Sequence, residues 1–87
     1  MKHNYTALDS AILEALKSGV KKFRELENEP GIKRESIKVA AKHNASAPTE
    51  KHELKPWVFV NRRLISLEAK QRLFNHGNAV GYSLSYF

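Results

Sequence analysis

Apolar and polar positions alternate so as to divide the chain into helical stretches followed by a closing pair of strands. Leu8, Ala11, Ile12, Ala15 and Leu16 recur at three- and four-residue spacing, one apolar stripe of an amphipathic helix over 6–18. Thr6 stands where an N-cap belongs, with Asp9 three residues on as an acidic variant of the capping box. Gly19 offers the left-handed conformation that ends a helix. Residues 20–23 read as an extended connector or a strand of one or two residues. Phe23-Arg-Glu-Leu26 then supplies one or two helical turns, stopped at Pro30-Gly31, and Ile32, Ile37, Ala40 and Ala41 resume helical spacing over about 33–43.

Residues 45–55 (ASAPTEKHELK) hold Pro, Ser, Thr and charges without periodicity, and the pattern predicts a long mobile loop there. Pro56 suits the first position of a last helix. At 100° per residue, Trp57, Val60, Leu64 and Leu67 share one face, the expected core side. Val58, Arg62, Ile65, Ser66 and Ala69 fall opposite, Asn61 and Phe59 lie on the flanks, and Arg63 and Lys70 border the core face. Beyond the helix, Leu73-Phe74 and Tyr82-Ser-Leu84-Ser-Tyr86 read as strands, the second with a period of two. His76-Gly-Asn-Ala-Val-Gly81 between them supplies the glycines and Asn that a hairpin loop needs.

Size and composition narrow the function classes. At 87 residues the chain supports one domain, and a deep catalytic cleft would consume core that it can hardly spare. The sequence has no cysteine, which excludes disulfides and thiolate zinc sites and fits a reducing, cytoplasmic setting. No apolar run approaches the ~20 residues of a membrane span, and the N-terminus lacks a secretory apolar segment. His3, His43, His52 and His76 are scattered without metal-site spacing. No phosphate-cradling glycine loop, carboxylate pair or nucleophile–base motif is present, so neither catalysis, a metal nor a cofactor is expected. The net charge of +6 is uneven: 30–44 carries four bases against Glu35, and 54–87 carries five against Glu68, whereas 1–29 is neutral. Such basic surfaces attract polyanions.

The order of elements, and above all VNRRLISLEAKQRLF followed by the hairpin, resembles the winged-helix family of helix-turn-helix domains. The family's third helix typically runs apolar–x–Arg–Arg–Leu–x–x–Leu–Glu, then a turn, then two apolar residues opening the wing. Val60, Arg62, Arg63, Leu64, Leu67, Glu68, Leu73 and Phe74 fill those places. The resemblance implies an α+β winged helix-turn-helix of three to four helices closed by a C-terminal β-hairpin wing. It also implies non-enzymatic binding of double-stranded DNA by a small transcriptional regulator, and the small size of the chain suggests the kind that prophages and mobile elements carry. Two features depart from the family: Gln71-Arg72 stands where Gly is usual before the wing, and the gap between the first and last helices is long.

In this reading the last helix enters the major groove, where Arg pairs bidentately with guanine and Asn with adenine. Asn61, Arg62 and Ser66 are the expected base readers, with Lys55, Arg63, Lys70 and Arg72 on phosphates and His76 and Asn78 at the wing tip. A second assignment takes FRELENEPGIKRESIKVAAK as the helix-turn-helix, with Pro30-Gly31-Ile32 as its turn and Lys33, Arg34, Ser36 and Lys38 toward the groove. A different function class rests on Val58, Phe59, Ile65 and Ala69, an outward face more apolar than DNA reading requires. It would suit a homodimer or another protein partner.

Overall fold

In the computed structural model, residues 5–46, 54–77 and 79–84 are described. They form α1 (Thr6–Leu16), α2 (Phe23–Glu27), α3 (Pro30–Ser46), α4 (Pro56–Ala69), β1 (Leu73–Asn75) and β2 (Tyr82–Leu84). Helices come first and an antiparallel hairpin last, an α+β arrangement with a winged-helix-like layout. One core joins all four helices to the hairpin. It consists of Leu8, Ile12 and Leu16 from α1, Leu26 from α2, Ile32 and Ala40 from α3, Phe59, Val60, Leu64 and Leu67 from α4, and Leu73 from β1. Each large apolar side chain buried there contributes about 1.5–3 kcal/mol. Among the described residues no buried side-chain nitrogen or oxygen lacks a hydrogen-bond partner.

The helix ends differ from expectation in three places. Tyr5, not Thr6, occupies the N-cap of α1 and makes no side-chain capping bond, and the Asp9 carboxylate accepts from Arg63 of α4. α1 also closes at Leu16 rather than at 18, with the Ser18 hydroxyl donating to the Ala15 carbonyl at 3.0 Å. Pro30 does not stop a helix but opens α3, leaving only Asn28 and Glu29 between α2 and α3. A proline at the first helical position forfeits no hydrogen bond, since that N–H has no partner within the helix.

Residues 45 and 46, assigned to the loop by the sequence pattern, belong to a helix instead. α3 runs through Ala45 to Ser46, and Asn44 clasps the chain where it returns. The Asn44 amide donates to the Leu54 carbonyl at 3.2 Å and accepts the Leu54 N–H at 3.1 Å. Residues 47–53 lie outside the described residues.

α4 presents a rotated face to the core. Phe59, expected on the flank, is 1% exposed and packs against the His43 ring at 5.4 Å. Trp57, expected inside, is 51% exposed. Apolar residues surround much of this helix, so its period alone could not choose between the two. The position of α3 decides, by offering a pocket for Phe59.

α4 ends in a paired-bond cap: the Arg72 N–H donates to the Leu67 carbonyl at 2.8 Å and the Gln71 N–H to the Glu68 carbonyl at 2.9 Å. This is the Schellman pattern, in which the residue after the cap adopts the left-handed conformation. Gln71 does so with φ 61°, so the chain uses Gln where that geometry favours Gly, and the helix gains no further turn.

The hairpin pairs Leu73 with Leu84, Phe74 with Ser83 and Asn75 with Tyr82. On the other edge of β2, Lys21 forms a one-residue bridge, exchanging N–H···O bonds of 3.0 and 2.7 Å with Tyr82. The connector therefore acts as the short strand that its sequence allowed, and β2 lies between Lys21 and β1. Gly81 (φ 110°) makes this approach feasible: a Cβ there would meet the Lys21 carbonyl oxygen, with Lys21 C at 2.6 Å and Lys22 N at 2.8 Å. Tyr82 and Leu84 are half-buried as the alternation implied, although Ser83 between them is half-buried too. Tyr86 lies outside the described residues.

Candidate nucleic-acid interface

The outer face of α4 is the surface on which most of the candidate residues converge. Lys55 occupies the N-cap and is exposed, and Pro56 opens the helix. Val58, Arg62, Ile65 and Ala69 follow at four-, three- and four-residue steps, which places them in one row. Arg62 and Ala69 are exposed, Ile65 is 59% exposed and Val58 is half-buried. Asn61 and Ser66, on either side of the row, are half-buried. The Arg62 guanidinium carbon lies 5.6 Å from the Phe59 ring centroid, a cation–π contact made by the head group of a residue that is exposed as a whole. Among the described residues no carboxylate forms an ion pair with Arg62, Lys70 or Arg72.

Arg63 does not belong to this surface. Its Nε and Nη2 donate to Oδ1 and Oδ2 of Asp9, both at 2.8 Å, and its guanidinium sits 4.7 Å from the Tyr5 ring centroid. Only 16% of its side chain is exposed, against 21% for Asp9. The hydrogen bonds to Asp9 push the guanidinium's pKa above its ordinary value, although burial opposes them. The expected phosphate clamp is thus a tie between α4 and α1, because the rotation of α4 that buries Phe59 carries Arg63 toward α1.

At the end of α4, Lys70 and Arg72 are exposed on either side of the left-handed Gln71. His76 is exposed, but its Nε2 lies 2.7 Å from the Ser83 hydroxyl across the hairpin and its ring meets the edge of Phe74. This side chain braces the wing as well as facing solvent. Asn78 lies outside the described residues.

The second helix-turn-helix assignment is corrected in two respects. Pro30-Gly31-Ile32 is the first turn of α3, not an interhelical turn. Ser36 is 2% exposed and donates to the Lys33 carbonyl at 3.0 Å, so it cannot face a groove. Arg34 and Lys38 are exposed but share Glu35, at 3.4 and 3.6 Å. Lys33 is exposed and lines a groove of about 210 Å³ with Ile37, Pro56, Trp57 and Val60. The two candidate helices therefore do not compete, since the first turns of α3 and α4 adjoin on one surface.

Of the expected partner-binding residues, Val58, Ile65 and Ala69 remain on the outer face, whereas Phe59 is core. Trp57 and Ile37, the latter 50% exposed, are exposed unforeseen and line the groove beside Lys33. One signal for Trp57 was its place directly after Pro56, in a first turn beside a long connection. Among the described residues no group of His, Asp and Glu could hold a metal ion, and no helix is long and apolar enough to cross a membrane. No family model matches the chain, and neither a curated protein nor a solved structure matches it.

Proposed function

We propose that the protein binds double-stranded DNA without chemistry, as a small transcriptional regulator, with α4 in the major groove and the hairpin on the backbone. The observation that carries this reading is the exposed Arg62, free of carboxylate partners among the described residues, on a helix that runs directly into a hairpin. α4 has 14 residues. That makes it about 21 Å long, and a helix of this kind fits a groove ~12 Å wide. In that pose Lys55 at its start, Lys70 and Arg72 at its end, and Lys33 beside its first turn, all exposed, would meet phosphates. A cytoplasmic location follows from that role and suits a cysteine-free chain.

Titration with mixed-sequence duplex at two salt concentrations tests the reading. Four phosphate contacts give a slope of log affinity against log salt near −3.6, at about −0.9 per contact. Arg62→Ala should weaken binding to a preferred site roughly 10–100-fold, the discrimination that one bidentate base contact supplies, with no loss of thermal stability. Absence of binding at low salt would refute the proposal. A second reading is favoured by the exposure of Trp57 and Ile65: the same face would dock a protein. In that case Ile65→Asp would break a complex while Arg62→Ala would leave it intact.

A further inference from the structure

We infer that Ile65 reads a thymine methyl group in the major groove, one or two base pairs from a guanine held by Arg62. This rests on the DNA reading above and names the sequence feature that the interface selects. Ile65 is 59% exposed on the outer face of α4, in one row with Val58, Arg62 and Ala69. Three of the four residues in that row carry no polar side-chain atom. Of the groups that base pairs present in the major groove, the thymine methyl is the one sizeable apolar group, and the neighbouring recognition groups are hydrogen-bond donors or acceptors. An isoleucine set against a guanine or cytosine edge would strip water from a polar atom and return no hydrogen bond, which costs free energy. Set against thymine, it buries the methyl and loses nothing. The face thus favours thymine and penalises G·C at that position, and both effects act in the same direction.

The spacing follows from the helix. Side chains three residues apart, as Arg62 and Ile65 are, lie about 5–6 Å from one another. Successive bases on a strand are separated by about 3.4 Å. The thymine therefore lies one or two steps from the Arg62 guanine. Ala69 and Val58 extend the row in both directions and can accommodate further methyls.

Substitution of deoxyuridine for thymidine tests this directly, because it removes the methyl and leaves every hydrogen-bonding group in place. Duplexes enriched by the full chain from a randomised pool would be resynthesised with uracil, one position at a time. The expected result is a loss of about four-fold for each contacted methyl, the partition contribution of one methylene-sized group. At the position one or two steps from the conserved guanine, Ile65→Ser should bind the thymine and uracil duplexes equally. Its melting temperature serves as the control for folding. Equal affinity of the wild-type chain for both duplexes overturns the inference, as does binding with no sequence enrichment, and both outcomes leave DNA binding standing. A thymine preference that survives Ile65→Ser removes Ile65 as its reader. If no duplex is retained even at low salt, the DNA reading itself fails and the inference falls with it.

Discussion

Arg63→Met keeps the aliphatic stem of the side chain and removes the guanidinium that joins α4 to α1. Two charge-assisted hydrogen bonds of 2.8 Å to Asp9 disappear, together with the contact over the Tyr5 ring. Bonds to charged groups contribute ~1.5–3 kcal/mol each where water is excluded. Here the two side chains are 16% and 21% exposed, so water can partly resolvate Asp9 once it is abandoned. About 1 kcal/mol per bond, with roughly 0.5 for the cation–π contact, gives a destabilisation of about 2–3 kcal/mol. That lies below the ~3–5 kcal/mol of a fully buried broken pair. In a domain of this size the melting temperature falls by roughly 10–15 °C. Thermal denaturation followed by far-UV circular dichroism reads the shift, with Arg62→Met as the exposed control that should move stability by less than ~0.5 kcal/mol.

A double-mutant cycle with Asp9→Ala isolates the pair, for which a coupling of about 1.5–2 kcal/mol is expected. A melting shift below about 3 °C, or a coupling below about 0.5 kcal/mol, refutes the structural role. If Arg63→Met instead reduced DNA affinity at unchanged stability, Arg63 would be the phosphate contact that its sequence position suggested. The outcome also governs how the interface can be probed. A combined Arg62 and Arg63 variant would confound loss of binding with loss of fold, so the functional test belongs to Arg62 alone.

Gly81→Ala forces a Cβ into the Lys21–Lys22 backbone and should cost more than about 3 kcal/mol by breaking the Lys21–Tyr82 bridge. Gly19→Ala, which meets nothing within 4 Å, should cost only the ~1–3 kcal/mol of its positive-φ backbone; equal melting shifts for the two would discredit the clash. Gln71→Gly relieves the left-handed strain after α4 and should stabilise the domain by about 0.5–1 kcal/mol in chemical denaturation. Unchanged or reduced stability would contradict the cap geometry. Burial, and then the charge of Glu68, hold the Tyr82 pKa above its ordinary value of about 10. A raised folded-state value means that the neutral phenol is the form the fold prefers. Its contribution is therefore complete below the unfolded value and declines as pH rises through the folded one. Melting temperatures across the alkaline range should fall more steeply for the wild-type chain than for Tyr82→Phe, and parallel curves would show that burial of this hydroxyl has no effect.

The elements with strong local signals were legible in the chain. The three- and four-residue spacing of Leu8, Ile12 and Leu16 places α1, and Pro56 marks the start of α4. Gly77 and Gly81 allow the turn between Leu73 and Leu84. In each case a few neighbouring residues impose the backbone conformation, whatever the rest of the molecule does. Pro30 misled because a proline that ends one helix and a proline that begins the next have the same local sequence signature. At the interface, the exposure of Arg62 and Ile65 followed from their position opposite Val60 and Leu64, whereas Arg63, Phe59 and Ser36 were misplaced.

Arg63 and Phe59, both on α4, share a physical cause, whereas Ser36 is covered where α3 packs into the core. α4 carries apolar side chains around most of its circumference, so a rotation of the helix by part of a turn costs little in the pattern itself. Two contacts distant in sequence select the rotation: the Asp9 carboxylate, 54 residues before Arg63, and the His43 ring against Phe59. The chain by itself thus determined that helices precede a terminal hairpin, that the surface is basic and that Arg62 points outward. Tertiary packing alone decided that Arg63 is a brace, that Trp57 is exposed, and that the first turns of α3 and α4 share one surface. Burial and ion pairing depend on what faces a side chain across the core, and residues far apart in sequence supply those neighbours only after the chain has folded.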